Sequence, residues 1–228
     1  MQREIILTRD GSHSITIPSM QVTYHSLHGA IQESMHVFIR AGLDYVLSLT
    51  PKVSGQPLNI LEIGMGTGLN ALLTMAETSA IPKAIRYTGI EPHPLSIEEA
   101  GKLNYCSQPG LSGHQSWFDQ LHLAPWEDEI HLPGQFALVK TRAPLQMDSV
   151  FLHQPFDLVY FDAFAPSAQP ELWTEDFFRC LATVLAPGAV LVTYCSKSVV
   201  RRAMEAAGFL VKKIPGPYGK REMLRARR

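Results

Sequence analysis

Residues 61–70, LEIGMGTGLN, place glycine at every second position where an apolar run gives way to a helix-forming one. LNILEIG (58–64) reads as a buried strand and TGLNALLTMAET (67–78) as the helix that follows it. Gly64, Gly66 and Gly68 at the junction let the backbone pass close to a ligand, as side chains there would not. A nicotinamide-binding turn requires G-x-G-x-x-G, but counting from Gly64 the sixth place is Leu69, so the spacing disfavours a loop that holds a pyrophosphate. A generic tight turn is the plainer alternative, and three glycines in this context weigh against it.

Working outward, the alternation continues. AIRYTGIE (84–91), FALVKT (136–141), FDLVYFD (156–162) and GAVLVTYC (188–195) read as further strands. Helices are expected from Pro94 to about Tyr105, with proline in the first turn, over 174–185 behind Thr174, and over 197–207 up to Gly208. FLVKKI and REMLRAR read as a closing pair of strands. Strands alternating with helices specify a mostly parallel sheet covered on both faces, whose ligands bind outside the carboxyl ends of the strands. Residues 1–57 depart from this pattern. EIILT and SITIP suggest a small hairpin, and 31–49 a helix turning Ile31, Met35, Phe38, Ile39, Leu43 and Val46 inward, so 1–57 is expected as an extension of the globule formed by 58–228.

The composition is that of an ordinary soluble globular protein: 228 residues, 46% hydrophobic and 18% charged, with no run approaching ~20 apolar residues and no apolar leader at the N-terminus. No membrane span is expected. Cys106, Cys180 and Cys195 lie far apart, which argues against a disulfide framework or a zinc site and for a cytoplasmic location. The net charge of −1 is unevenly spread: residues 197–228 carry ten Lys or Arg against two acids, and the remainder is strongly acidic. Such an end suits a polyanionic partner such as RNA, and equally a solvated helix face with a basic tail.

Two acids end strands. Glu91 closes the second strand of the alternation, where a carboxylate can accept hydrogen bonds from both ribose hydroxyls; without a ligand it would cap the next helix. Asp162 ends FDLVYFD and is followed by Ala-Phe-Ala-Pro. An unpaired buried carboxylate costs several kcal/mol, so Asp162 is expected to face a cleft or a helix start, and the next helix begins only near Thr174. His25 and His28 stand three apart with no third ligand nearby, and read as ordinary polar histidines with no metal.

HGAIQESMHVFI (28–39), LEIGMGTGLN (61–70), FDAFAPSAQPELWT (161–174), VRRAMEAAGF (200–209) and GPYGKREML (216–224), in this order, resemble the methyltransferase domain of the MnmC family of tRNA wobble-uridine modification enzymes, most of all its stand-alone form, MnmD. The resemblance implies a class I S-adenosylmethionine-dependent methyltransferase, with a Rossmann-like α/β fold and a mostly parallel seven-stranded sheet. It also implies the reaction: N-methylation of the 5-aminomethyl group of wobble (2-thio)uridine in tRNA, giving 5-methylaminomethyl-(2-thio)uridine. In the bifunctional form a flavin-dependent domain makes the amine; these 228 residues leave no room for one, so a separate enzyme is expected to supply it.

On this resemblance Glu62, Gly64, Met65, Gly66, Gly68, Asn70 and Glu91 are candidate cofactor contacts, with Tyr24 and Glu33 closing over them. Asp162 is the candidate catalytic residue, orienting the amine and taking or relaying its proton. Phe164 shapes the substrate pocket, and the backbone carbonyls beside it can accept from the amine. Lys220 and Arg221 are candidates for RNA phosphate binding or for a surface salt bridge. Where many such enzymes carry an acid for the adenine, FALVKTRAPLQ offers Thr141 and Arg142, with Asp148 late, so that contact is unassigned. A class I enzyme methylating a small-molecule amine, or an aminopropyltransferase-like one, is the alternative, disfavoured by the basic C-terminal segment.

Overall fold

A computed structural model describes residues 2–49, 55–143 and 155–228. The two N-terminal apolar segments pair antiparallel as β1 (Glu4–Leu7) and β2 (His13–Ile17), and β3 (Val22–Thr23) lines the other edge of β2. Residues 30–49 then form one helical stretch, α-helical at Ala30–Ser34 and Tyr45–Leu49 and π-helical over Met35–Asp44. The wider turn changes the inward set. Val37 joins Phe38, Ile39, Leu43 and Val46 in the core, whereas Ile31 and Met35, expected inward from a 3.6-residue period, are half-buried.

The main sheet comprises β4 (Leu58–Ile63), β5 (Ile85–Ile90), β6 (Glu129–Leu132), β7 (Phe136–Thr141), β8 (Phe156–Phe161), β9 (Leu185–Thr193), β10 (Leu210–Pro215) and β11 (Glu222–Arg227), in the order β10-β11-β9-β8-β4-β5-β7-β6. The five strands from β9 to β7 run parallel, and β6, β11 and β10 are antiparallel to their neighbours. Eight strands are thus described where seven were expected. The extra one, β6, is a four-residue edge strand folded back on β7 through Pro133, Gly134 and Gln135, too short to show a period.

Helix starts follow their caps. Thr174 accepts from the Phe177 N–H at 3.2 Å and opens the helix Glu175–Thr183. The helix expected from Pro94 begins instead at Ile97 and ends at Gly101, because Ser96 and Glu99 form a reciprocal capping box that outweighs the proline. Tyr105 lies in a separate short turn, Tyr105–Ser107. Gln115–Leu123 is a helix that the sequence reading passed over. Among the described residues no helix is long and apolar enough to cross a membrane.

From β4 the chain works outward through β5 to β7, then crosses back to β8 and β9 on the other side, so the order reverses between β4 and β8. A crevice opens at the carboxyl ends of strands at such a reversal. Here the two loops touch backbone to backbone: the Asp162 N–H donates to the Ile63 carbonyl at 2.9 Å. At Gly64, φ is +86° and a Cβ would sit 2.7 Å from the Asp162 carbonyl oxygen. Gly64→Ala is therefore expected to destabilise the protein by more than the roughly 1–3 kcal/mol of a side chain in this backbone region, since a contact with main chain adds to it. Urea unfolding would measure it, and a loss under ~0.5 kcal/mol would mean that the two loops are free to separate.

Candidate active site

Two carboxylates flank the crevice and one amide joins them. The Asn70 Nδ2, on the first turn of the helix Leu69–Thr78, donates to Glu62 Oε1 at 2.7 Å and to Asp162 Oδ2 at 2.9 Å. Both amide hydrogens are thus engaged, and its carbonyl oxygen is buried without a partner. Glu62 Oε2 accepts from the Tyr87 hydroxyl at 2.7 Å. Glu62 is fully buried and does not line the cleft, and both its oxygens are taken up by Asn70 and Tyr87. Burial pushes its carboxyl up to about 8, against the pull of Tyr87 and Asn70. Asp162 reaches the cleft. Its carboxyl is held well above the ordinary range by burial and by the charges of Glu62 and Glu33, while the Asn70 hydrogen bond and Lys220 draw it down.

The glycine loop lies over the ends of β4 and β5, with Gly64 N and Met65 N both donating to the Ile90 carbonyl. Glu91 ties this loop to the next: Oε2 accepts from Gly66 N and Oε1 from His93 N, each at 2.8 Å. Gly66, at φ +51°, passes under the Tyr24 ring, which a Cβ would approach to 3.0 Å. Tyr24 in turn meets Phe164 edge-on at 5.2 Å. Two cavities share Met65, Gly66 and Glu91. One, of about 300 Å³, runs past Tyr24, Asn70, Asp162 and Phe164; the other, of about 240 Å³, past Pro94 to Ile97, Leu121, Trp126 and Arg142.

Of the other expected site residues, Gly64 and Met65 line the first cavity. Gly68 does not; it packs beneath His122. Glu33 accepts from the Ser26 N–H and pairs with Lys220 Nζ, each at 2.7 Å, so neither Glu33 nor Lys220 lines the cavity. Arg221 is exposed. The carbonyls of Ala163 and Phe164, expected to face an amine, already accept from the Tyr194 hydroxyl at 2.9 Å and from Trp173 Nε1 at 2.8 Å. Asp148 lies outside the described residues. His25 is buried against Ser14 Oγ, and burial depresses its pKa to about 4. Among the described residues no group of three or more His, Cys, Asp or Glu could hold a metal ion.

Some site residues carried no reading from sequence. Arg3 reaches from beside β1 to the loop after Glu91, donating to the Pro94 and His93 carbonyls and pairing with Glu99 at 3.2 Å. No local pattern announces a contact across ninety residues. Lys140, in contrast, was legible as the one charge in FALVKT. Its Nζ donates to the His122 carbonyl at 2.9 Å and lies 4.7 Å from the centre of the Trp126 ring, and burial, then Arg142, lowers its pKa to about 8.

Burial of Glu62 has a pH signature. Its pKa rises on folding, so the folded state retains a proton that the unfolded chain releases, and stability falls as pH climbs from about 4.5 to about 8. Glu62→Gln keeps the shape without the charge and is expected to flatten that decline, read from urea midpoints across the same window. An unchanged slope would mean that Glu62 is ionised without penalty.

The sequence pattern of the S-adenosyl-L-methionine-dependent methyltransferase family matches residues 138–228. Over 98% of its length the chain is 33% identical to the tRNA 5-methylaminomethyl-2-thiouridine biosynthesis bifunctional protein MnmC of Cupriavidus metallidurans, and covers 34% of that protein. The MnmC of Cupriavidus necator is 32% identical over 90% of the chain, with 32% of that protein covered. The chain thus spans about a third of the length of the curated relatives it matches. The crystal structure of MnmC2 from Aquifex aeolicus superposes with a TM-score of 0.80 at 23% identity, over 99% of this chain and 70% of that one, and so shares its fold. The C-terminal residues 138–228 thus match the pattern of S-adenosyl-L-methionine-dependent methyltransferases, and the chain as a whole is similar to one third of the MnmC proteins.

Proposed function

We propose that this cleft methylates the primary amine of 5-aminomethyl-(2-thio)uridine at the wobble position of tRNA, giving 5-methylaminomethyl-(2-thio)uridine. The observation that carries the reading is Asp162, an acid held at the chain reversal beside the glycine loop and raised above the ordinary carboxylate range. The MnmC relatives supply the substrate class.

The residues present fit S-adenosylmethionine. Glu91 sits where the two cavities meet, and each of its oxygens keeps a lone pair for a ribose hydroxyl after accepting one backbone N–H. The cavity past Met65, Gly66 and Asn70 takes the methionine part, and the one bounded by Pro94 to Ile97, Trp126 and Arg142 takes the adenine. When bound, the cofactor supplies an electrophilic methyl group. The chain supplies alignment and a proton acceptor. An alkylammonium has no lone pair to attack with; Asp162, made more basic by burial and neighbouring negative charge, takes one of its protons and leaves a free amine held in place. Tyr24 and Phe164 wall this side of the cleft.

The basic segment needs a narrower statement than its charge suggests. Arg201 pairs with Glu205 and Lys213 with Glu222, and Arg225 lies 3.5 Å from the centre of the Tyr45 ring. Lys197, Arg202, Lys212, Arg221 and Arg227 are exposed, and these are the cations available to tRNA phosphates. This reading places the protein with its tRNA in the cytoplasm, after a reaction, carried by a separate enzyme, that exposes the primary amine.

The test is direct: incubate protein, S-adenosylmethionine and tRNA bearing the aminomethyl group, digest, and identify the wobble nucleoside by mass spectrometry. Methylation of free polyamines but not of tRNA would instead favour the small-amine enzyme. Glu91→Ala is expected to weaken S-adenosylhomocysteine binding by about 1–3 kcal/mol in a calorimetric titration, the cost of losing a charged hydrogen-bond partner. Asp162→Asn is expected to slow single-turnover methylation by about 10²–10⁴-fold at neutral pH with tRNA affinity nearly unchanged. The defect should shrink as pH rises toward the pKa of the amine. A mutant-to-wild-type ratio constant from pH 6 to 10 would show that Asp162 positions the amine without acting on its proton.

A further inference from the structure

One charged pair lies beside the cleft without lining it. Lys220, in the turn between β10 and β11, reaches the helical stretch 30–49 and pairs with Glu33 at 2.7 Å, Glu33 being the more buried, with 9% of its side chain exposed. The same ammonium lies 4.2 Å from the centre of the Tyr194 ring, and the Tyr194 hydroxyl donates to the carbonyl of Ala163, the residue after Asp162. Beside it Tyr218 packs edge-on against His28 at 5.3 Å. The C-terminal turn is thus fastened to the N-terminal segment within the electrostatic reach of Asp162.

We propose that Lys220 and Glu33 are positioning residues for the methyl transfer, a part-buried ion pair that fastens the C-terminal turn beside Asp162 and sets two opposed charges near it. Lys220 is therefore no phosphate contact, and Glu33 no cofactor contact. The inference rests on the proposed role of Asp162 as the proton acceptor. Glu62 reaches that carboxylate through the Asn70 amide, and the tyrosines Tyr87, Tyr105 and Tyr194 lie within the range of its charge. Among the charged side chains acting on it Lys220 is the cation, opposing Glu62 and Glu33. The pair keeps Asp162 basic enough to take a proton from an ammonium, yet ionised enough to have room for it.

Opposed charges predict opposed shifts, which a purely structural role does not. The carboxyl of Asp162, followed by carbon-13 NMR titration and assigned by its loss in Asp162→Asn, is expected to titrate at least half a pH unit higher in Lys220→Met. In Glu33→Gln it should titrate lower by a similar amount, and in the double variant return close to wild type. Lys220→Arg should behave as wild type. The acid limb of the single-turnover rate should move with the carboxyl in each case, while the salt dependence of tRNA binding stays unchanged in Lys220→Met. Single variants that shift Asp162 in the same direction, or not at all, overturn the proposal, as does a reduced salt slope in Lys220→Met. If Lys220→Met does not fold, Lys220→Gln carries the same expectation. The titration needs no substrate, so inactivity of the wild type on tRNA would defeat the functional reading and leave this result to be judged by itself.

Discussion

The Asn70 amide is the interaction on which the site depends. Glu62 and Asp162 end adjacent parallel strands and are both acids in a region largely cut off from water, an arrangement that costs heavily unless each oxygen is given a donor. One side chain with two N–H groups, fixed on the first turn of a helix that the glycine loop itself launches, gives one donor to each acid. The loop, the helix and the two strand ends therefore constrain one another: moving the helix would strip a hydrogen bond from a buried acid, and moving β8 would break the bond from the Asp162 N–H to the Ile63 carbonyl. Networks of this kind cost little when every member is satisfied and a great deal when one is not.

From this follows the division of labour between the two acids. Glu62, closed in by Tyr87 and Asn70, is shut off from ligands and serves as part of the frame. Asp162, sharing the same amide, opens on the cavity beside Tyr24 and Phe164. Two carboxylates of one chemical type thus acquire different work from geometry alone, one held by a tyrosine on the neighbouring strand and the other by the absence of such a cover.

Much of this was legible in the sequence because it rests on local pattern. The alternation of strands and helices, the glycine loop and the acid at the end of FDLVYF depend on residues within a few positions of one another, and periodicity or turn chemistry reports them. What escaped rests on distance or on departures from an ideal period. Glu62 reads as a ligand contact because the sequence does not show Tyr87 across the sheet. Lys220 reads as a phosphate contact or a salt-bridge residue, and the sequence does not show that its partner is Glu33, 187 residues away. The π-helical run shifts Val37 inward against the 3.6-residue count, and the capping box at Ser96 overrides a proline that alone would have begun the helix at Pro94.

The position of β11 between β9 and β10 bears on the order in which the molecule can be assembled. The parallel strands from β9 to β7 can pair before residue 210 is made, but the C-terminal turn cannot seat until β11 has threaded against β9. Until then Glu33, already placed by its helix, lacks its partner Lys220. Closing a loop of that length is slow relative to local structure and is repaid only once the distant contacts form. The Lys220–Glu33 contact is thus a late one, and a chain stalled short of that step would have most of its parallel sheet with Glu33 still unpaired.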